Sequence, residues 1–226
     1  RNWKIKIPNV DTKSVLIIAL IFLLLTLAVF HFSETPPDSR TYRSTLLPPE
    51  KTRFSTSLVG NIALSPDGNS LAFVATDSVR KSLLWLRPLN ALEARALSGT
   101  EGAYLPFWSP DNRFIGFFAD GKLKKIDVSG GTPQTLCNAT FGRGGTWNKD
   151  GIIVFNGNAS SPLSLVSASG GKAVAITKLD TARREASHRW PCFLPDGRHF
   201  LYTSRISVAG VNEEDAIFLG SLDTTV

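Results

Sequence analysis

Charged and aromatic side chains that could bind a ligand are concentrated in three short segments, residues 99–104, 138–145 and 179–189. The candidates among them are Glu101, Tyr104, Arg143, Arg184, His188 and Arg189. Guanidinium groups match the geometry of carboxylates and phosphates, so arginines beside a histidine would favour a small anionic ligand or an acidic site on a protein partner. A solvated loop surface with local ion pairs fits the same residues, and the sequence leaves both interpretations open.

Motifs for catalysis are missing from the 226 residues. The chain has no Gly-rich nucleotide loop, no His-Arg-Asp, no Asp-Phe-Gly and no Gly-x-Ser-x-Gly. The Gly142–Gly145 segment lacks the Gly-Lys-Ser/Thr ending of a phosphate loop. The three histidines and two cysteines do not form metal-ligand spacing. The sequence therefore predicts a binding module without metal or cofactor, rather than an enzyme.

The composition is that of a folded chain with an uneven charge distribution. Hydrophobic residues make up 42% and charged residues 19%, which excludes a disordered chain. The net charge is +6, but half of it lies in residues 1–13, where four basic residues face Asp11. We therefore expect no nucleic-acid partner. The chain begins with Arg1 and contains no methionine, so we expect it to be part of a longer protein.

One segment is apolar enough to cross a membrane. Val15 to Phe32 contains only Thr26 and His31 as polar residues. A helix of this length spans roughly 27 Å, close to the ~30 Å hydrocarbon core. A signal peptide is the main alternative, although no Ala-x-Ala-like cleavage site follows. We predict a transmembrane helix at 14–32 that contacts the lipid bilayer.

The flanks of this segment predict its orientation. The basic flank at 1–13 should be cytoplasmic, which places everything after residue 32 outside the membrane. Residues 33–53 contain four prolines and predict an extended linker. The expected location is thus a membrane, with the N-terminus in the cytoplasm and residues 54–226 on the periplasmic or extracellular side.

Residues 54–226 contain an internal repeat. Four segments align on Ser-Pro-Asp-Gly or a variant of it, followed by an apolar strand. The aligned aspartates, 44, 39 and 46 residues apart, are Asp67, Asp111, Asp150 and Asp196. Four units at this period indicate a repeat architecture. Cys137 and Cys192 fall in different repeats, so a disulfide between them is geometrically doubtful.

Turn formation explains the repeated residues. Proline sets φ for the first central turn position, aspartate suits the second, and glycine adopts the left-handed conformation that follows. Asn112 replaces this glycine in the second repeat, and asparagine also tolerates a left-handed conformation. A catalytic role for the aspartates is the alternative, but one residue recurring in four repeats favours a structural role in the turns.

The sequence of each repeat predicts four short strands. In the first repeat these strands lie at about 58–64, 70–76, 82–88 and 94–98. The strands at 71–75 and 114–118 are apolar or small on both faces, so both faces must be covered. A radial stack of four-stranded sheets provides this cover, because each sheet packs between two others. The predicted fold class is therefore all-β: a β-propeller of about four blades, incomplete, preceded by one transmembrane α-helix.

Several of these motifs resemble known families. The Ser65–Gly68 turn and the strand after it resemble the PD-type, WD-like repeats of TolB-like β-propellers. Other segments resemble the extracytoplasmic propellers of bacterial transmembrane serine/threonine kinases: Trp85-Leu-Arg-Pro-Leu89, Phe107-Trp-Ser-Pro-Asp111, Ile115 to Ile126, Gly144-Gly-Thr-Trp147 and Ser187-His-Arg-Trp-Pro191. In the kinase family a cytoplasmic kinase domain precedes the membrane span. The resemblance thus implies a sensing or protein-interaction module whose kinase domain lies outside this chain.

Two alternatives remain open: a stand-alone TolB-like scaffold of the cell envelope, and the propeller part of a prolyl-oligopeptidase-type hydrolase. An upstream kinase sequence or a downstream hydrolase sequence in the parent reading frame would decide between the three. Because the fourth repeat shows no clear fourth strand, we also expect an open array with uncovered apolar faces at both ends.

Overall fold

The computed structural model describes residues 11–33, 45–55, 60–206 and 215–223. The rest of the predicted basic flank and of the proline-rich linker, and the start of the predicted strand at 58–64, lie outside the described residues. The chain divides into two compact units, residues 1–46 and 47–226.

The first unit contains one helix, α1 (Thr12–Ser33). Its residues from Thr12 to Phe30 are apolar and long enough to cross a membrane, and none of this segment is buried within the protein. The Thr26 hydroxyl, in the middle of the apolar segment, donates to the Phe22 carbonyl at 2.5 Å, so it needs no partner outside the helix. Such a helix fits a membrane anchor or a signal sequence.

The second unit contains four antiparallel sheets, which we number as blades in chain order. Blade 1 comprises β1 (Thr52–Phe54), β2 (Ile62–Leu64), β3 (Ser70–Asp77), β4 (Ser82–Pro88) and β5 (Arg95–Ala96). Blade 2 comprises β6 (Tyr104–Trp108), β7 (Phe114–Ala119), β8 (Lys122–Asp127) and β9 (Gln134–Asn138). Blade 3 comprises β10 (Gly145–Trp147), β11 (Ile152–Asn156), β12 (Leu163–Ser167) and β13 (Val174–Ala175). Blade 4 comprises β14 (Glu185–Phe193), β15 (His199–Ile206) and β16 (Ala216–Ser221).

Strand order follows the chain within each blade, except that β1 and β2 both pair with β3 on the edge opposite β4. The first sheet therefore includes Thr52 and Arg53, just before residue 54, where the sequence predicted the propeller to begin. The first strands of consecutive blades lie side by side, β2 beside β6, β6 beside β10 and β10 beside β14. This arrangement confirms the predicted β-propeller blades.

The core lies between the blades. Neighbouring residues on β7 point in opposite directions: Phe117 packs with blade 1, whereas Phe118 packs with Phe155 of blade 3. Phe200 of blade 4 packs with Val154 of blade 3 in the same way. The apolar character on both faces of these strands, which the sequence showed, is thus explained by burial between two sheets.

Blade 4 has one sheet face with exposed apolar side chains. Register places Leu201 opposite Leu219 and Thr203 opposite Ile217, so these four residues share one face of the sheet. That face is open among the described residues: Leu201 is 39%, Leu219 61% and Ile217 76% exposed. The opposite face carries Phe200, which packs on blade 3.

The aspartate turns join the first and second strands of each blade. Asp67 accepts hydrogen bonds from the Ser65 hydroxyl (2.5 Å) and the Asn69 N–H (3.0 Å), and the hydroxyl bond is the main cause that lowers the pKa of Asp67. Asp111 and Asp196 accept comparable bonds from backbone N–H groups.

The third turn differs, because the Asn148 side chain rather than Asp150 accepts from the backbone, at 3.1 Å from the Asp150 N–H and 2.9 Å from the Ile152 N–H. The left-handed position has φ between 61° and 76° in all four turns, at Gly68, Asn112, Gly151 and Gly197.

Candidate functional site

Each blade has a residue with positive φ in, or just before, its innermost strand. The innermost strands are β2, β6, β10 and β14, which pack beside one another. The positive-φ residues are Gly60, Leu105, Gly144 and Trp190, with φ of 91°, 49°, 93° and 54°. Bulky residues rarely adopt such φ values, and the strain costs roughly 1–3 kcal/mol. Leu105 and Trp190 lie within the register shifts of β6 and β14. The inner strands are therefore bent where they approach one another.

Hydrogen bonds between blades hold these bends. The Leu105 N–H donates to the side-chain oxygen of Asn61 in blade 1 at 3.0 Å. The Trp190 N–H donates to the Arg143 carbonyl in blade 3 at 3.0 Å. Gly144 has no room for a side chain, because a Cβ there would lie 2.9 Å from the Trp190 ring. Contacts to the neighbouring blade thus stabilise the strained backbone at these bends.

The bends surround an open cavity of about 170 Å³, which we call the central cavity. The four positive-φ residues line it together with Pro106, Gly145 and Pro191. All four blades therefore contribute to one open concave surface, which is lined by apolar side chains and by the backbone of its glycines.

Three arginines of blades 3 and 4 lie close enough for their charges to act on one another; we call Arg143, Arg189 and Arg205 the arginine cluster. Arg143 and Arg189 immediately precede the lining residues Gly144 and Trp190 in the chain. Register pairs Ser187 with Arg205, and the Arg189 Nε donates to the Ser187 hydroxyl at 2.6 Å. The cluster is therefore assembled from blades 3 and 4 by the hydrogen bonds of β14.

The guanidinium groups of Arg143 and Arg189 contact neutral groups. Arg143 lies 3.9 Å over the Phe141 ring and donates to the Gly142 carbonyl at 3.3 Å. Arg189 also donates to the Ala159 carbonyl at 2.9 Å. Neither forms an ion pair with a carboxylate among the residues that the structure describes. Several N–H donors of both groups therefore remain for a ligand.

The arginine cluster brings positive charges close to one another. Burial lowers the pKa of Arg189, and the charges of Arg205 and Arg143 lower it further, while Asp215 opposes this effect. Burial also lowers the pKa of Arg143, as does the charge of Arg205. An anion placed among them would relieve this repulsion.

Tyr104 borders the cluster from blade 2. Its hydroxyl accepts a hydrogen bond from the Gly142 N–H at 3.1 Å, and its ring stacks on Phe118. Burial raises the pKa of Tyr104, so the hydroxyl keeps its proton and can donate it. Of the six candidate residues from the sequence, the structure therefore brings Tyr104, Arg143 and Arg189 into one place.

The other three candidates lie elsewhere in the fold. Glu101 forms an ion pair with Lys81 at 3.3 Å, across the start of β4. Arg184 is exposed on the turn before β14, with φ of 57°. Glu101 and Arg184 are both exposed, so they belong to the solvated surface of the protein.

His188 is buried between blades 3 and 4. It is 2% exposed, its Nε2 lies 3.0 Å from Glu185 and its Nδ1 lies 2.8 Å from the Thr177 hydroxyl. Its ring also lies 4.8 Å from that of Tyr202. Both ring nitrogens are thus engaged within the protein, which makes His188 a structural residue of the blade interface.

Sequence reasoning missed Trp190 and Arg205, and also the cavity residues Gly60, Leu105, Pro106 and Pro191. Trp190 adjoins a proline, as Leu105 does, and this X-Pro pair six residues before the turn aspartate was the available signal. Arg205 gave no signal, because only the register of β14 and β15 places it beside Ser187. The cysteines were found to be free, Cys137 partly buried and Cys192 exposed.

Comparisons with known proteins agree with the fold. No protein-family model matches the chain. The chain is 29% identical over 145 residues to an uncharacterized peptidase, YuxL, of Bacillus subtilis; this covers 63% of the chain but only 21% of the peptidase.

Solved structures with a similar fold include TolB proteins. The putative TolB from Agrobacterium tumefaciens matches 74% of this chain and 62% of its own, at 19% identity and a TM-score of 0.62. TolB from Acinetobacter baumannii matches 72% of this chain and 42% of its own, at 17% identity and a TM-score of 0.55. The β-propeller domain of the trilobed protease from Pyrococcus furiosus matches 76% of this chain and 55% of its own, at 13% identity and a TM-score of 0.52.

These likenesses concern the fold alone, and the chain spans only part of each relative. Sheet topology, the inner-strand contacts and the structural neighbours together give one conclusion: the described residues between Thr52 and Asp223 form β-propeller blades similar to those of TolB and of peptidase propellers.

Proposed function

We propose that this chain is a membrane-anchored, extracytoplasmic binding module whose propeller presents the arginine cluster to an anionic group on a ligand or protein partner. One observation carries this proposal: Arg143 and Arg189 lie close enough for their charges to act on each other, and their hydrogen bonds among the described residues go to neutral groups. Loops and strand ends on a rigid scaffold are common places for recognition residues.

The membrane part of the proposal is supported by α1 and by the basic residues before it. A periplasmic reporter such as alkaline phosphatase, fused after Val226, is expected to be active, and a cytoplasmic reporter at the same position inactive. The reverse pattern would refute the orientation. A cleaved amino terminus in the mature protein would instead identify a signal sequence.

The wider context that we favour is a receptor-type serine/threonine kinase with its kinase domain before the span. The segment resemblances given above support it. The second candidate is the propeller part of a hydrolase, which is favoured by the match to a protein named as a peptidase. Sequencing the full reading frame separates them: a kinase domain upstream supports the first, and an α/β-hydrolase domain downstream supports the second.

Binding is tested with simple anions on the full chain in zwitterionic nanodiscs. Acetate and phosphate are titrated against the protein and observed by ligand NMR. Arg143→Ala combined with Arg189→Ala is expected to weaken binding of the better anion at least tenfold. The control, Arg53→Ala with Lys122→Ala, removes two positive charges from exposed strand positions and should leave binding unchanged. Equal loss in both variants, or no anion binding to the parent, would refute the proposal.

A further inference from the structure

We propose that a groove between blades 2 and 3 binds an aromatic carboxylate, with its ring against Phe114 and Trp147 and its carboxylate on Lys125. The groove holds an open cavity of about 420 Å³, lined by these three residues and by Asp111 and Lys149 among others. Its lining includes no member of the arginine cluster, so the inference does not depend on the proposed function. Concave sites that combine aromatic walls with a few polar groups are common binding places for small ligands.

Two stacked rings form the aromatic wall of this groove. The ring centroids of Phe114 in blade 2 and Trp147 in blade 3 are 6.1 Å apart, and the ring planes are inclined by 24°. Both side chains are only partly buried, and both line the cavity. A further aromatic ring can therefore join the pair in an offset-stacked or edge-to-face arrangement. The cavity exceeds the ~150 Å³ that holds benzene, so a two-ring ligand fits.

The indole N–H of Trp147 is a donor that the protein leaves available. Trp108 precedes the turn of the second repeat as Trp147 precedes that of the third. Trp108 is 8% exposed, and its N–H donates to the Ala63 carbonyl of blade 1 at 2.9 Å. The Trp147 N–H has no such acceptor among the described residues. The interface of blades 2 and 3 therefore offers a ligand the donor that the interface of blades 1 and 2 uses internally.

Lys125 places a positive charge directly at the aromatic wall. Its Nζ lies 4.7 Å from the centroid of the Phe114 ring and 5.9 Å from that of the Trp147 ring. Within the part of the chain that the structure describes, this ammonium group forms no ion pair with a carboxylate. Its N–H donors therefore remain available to an anion whose ring contacts the same two aromatic side chains.

The remaining charges at the groove also favour an anion. Lys149 lines the cavity at a turn position that is proline in the other three repeats. The Arg113 guanidinium group lies 5.4 Å from the centroid of the Phe114 ring. Asp111 opposes them, but its Oδ1 already accepts from the Ser109 hydroxyl at 2.5 Å and from the Arg113 N–H at 3.1 Å. Together with Lys125, three positive groups face one carboxylate, which suits a monoanion.

Fluorine NMR of the full chain, labelled with 5-fluorotryptophan and held in zwitterionic nanodiscs, tests the site directly. The chain has five tryptophans, and Trp147→Phe identifies the resonance of Trp147. Indole-3-propanoate should shift this resonance. Its amide should bind at least about tenfold more weakly, because it lacks the charge that Lys125 recognises. Cyclohexanepropanoate, which keeps the charge but has no aromatic ring, should bind about threefold more weakly.

Two sources supply this chemistry: a free aromatic acid and the aromatic carboxy-terminal residue of a peptide. N-acetyl-tryptophan is therefore titrated beside indole-3-propanoate, since the two share ring and carboxylate. Tighter binding of N-acetyl-tryptophan identifies a peptide terminus as the source, and the reverse order a free acid.

Matched variants separate this groove from other positive surfaces. Lys125→Gln should weaken binding of indole-3-propanoate at least about tenfold, whereas Lys122→Gln, which removes an exposed charge from the same strand, should not. Circular dichroism verifies that each variant is folded. Equal loss in both variants, equal affinity for acid and amide, or binding that leaves the Trp147 resonance unmoved overturns the inference. Loss of binding in Arg143→Ala with Arg189→Ala, but not in Lys125→Gln, also overturns it and leaves the proposed function standing.

Discussion

Replacing His188 by alanine should destabilise the propeller, because it would remove one of the hydrogen-bond partners of a buried carboxylate. The side chains of His188 and Glu185 are only 2% and 6% exposed, and they lie 3.0 Å apart. The same Glu185 oxygen accepts from the Asp180 N–H at 2.8 Å. On the other side, the Thr177 hydroxyl that contacts His188 accepts from the Leu163 N–H at 2.9 Å. The His188 imidazole therefore links hydrogen-bonding groups of blades 3 and 4.

The magnitude follows from this burial. A hydrogen bond to a charged group contributes about 1.5–3 kcal/mol, and His188→Ala would remove such a bond from the Glu185 carboxylate. For a domain of 150–250 residues, 1 kcal/mol shifts Tm by about 2–4 °C, so His188→Ala should lower Tm by roughly 3–12 °C. Glu185→Gln keeps an oxygen that accepts both bonds, so its cost should be about 1 kcal/mol, or 2–4 °C.

Thermal unfolding of the full chain in a non-ionic detergent, followed by tryptophan fluorescence, measures these shifts. Burial by itself would raise the pKa of Glu185, but hydrogen bonds from the Asp180 N–H and from His188 outweigh it and lower the pKa below its ordinary value of 4.5. The stabilisation by this carboxylate is thus complete above that value and is lost as pH falls through the lower, folded-state pKa. A Tm of His188→Ala within 2 °C of the parent, or a loss in Glu185→Gln as large as in His188→Ala, would refute the reasoning.

Three further predictions concern other parts of the fold. Asn148→Ala should cost about 2–4 kcal/mol in urea unfolding, since it removes one hydrogen bond to blade 4 and two to its own turn, and Asn148→Asp should recover the two turn bonds. Residues 54–226 without the helix should self-associate through the open face of blade 4, with Ile217→Lys reducing the association; a monodisperse parent in ultracentrifugation would contradict this. Burial raises the pKa of Cys137 to about 11, so iodoacetamide at pH 8 should modify the exposed Cys192 first, and equal rates by mass spectrometry would be inconsistent with the structure.

The fold was predictable from the sequence because its determinants are local. A turn such as Ser65–Gly68 fixes its own geometry through proline, aspartate and glycine, and four repetitions mark four units. Strands that are apolar on both faces, such as 114–118, can be stable only between two other layers. Together with the uninterrupted apolar run of α1, these signals predicted both the blades and the helix before any tertiary contact was known.

The candidate site was only partly predictable, because register and side-chain direction depend on contacts distant in sequence. Arg143 and Arg189 stood out by residue type, but so did His188, which β14 turns towards blade 3 instead of the cluster. Arg205 joins the site because it pairs with Ser187 across the sheet.

The sequence by itself therefore determined the helix, the aspartate turns and the apolar central strands of the repeats, since short-range conformational preferences and apolar patterning act on neighbouring residues; the pairing of β1 with β3 depended on tertiary contacts. Tertiary structure alone decided which arginines meet and where the central cavity opens. Its positive-φ residues come from blades up to 130 residues apart, from Gly60 to Trp190, and converge only when the inner strands pack side by side. One-residue shifts in β6 and β14 change which face the side chains of these two strands point to, because successive strand residues point to opposite faces.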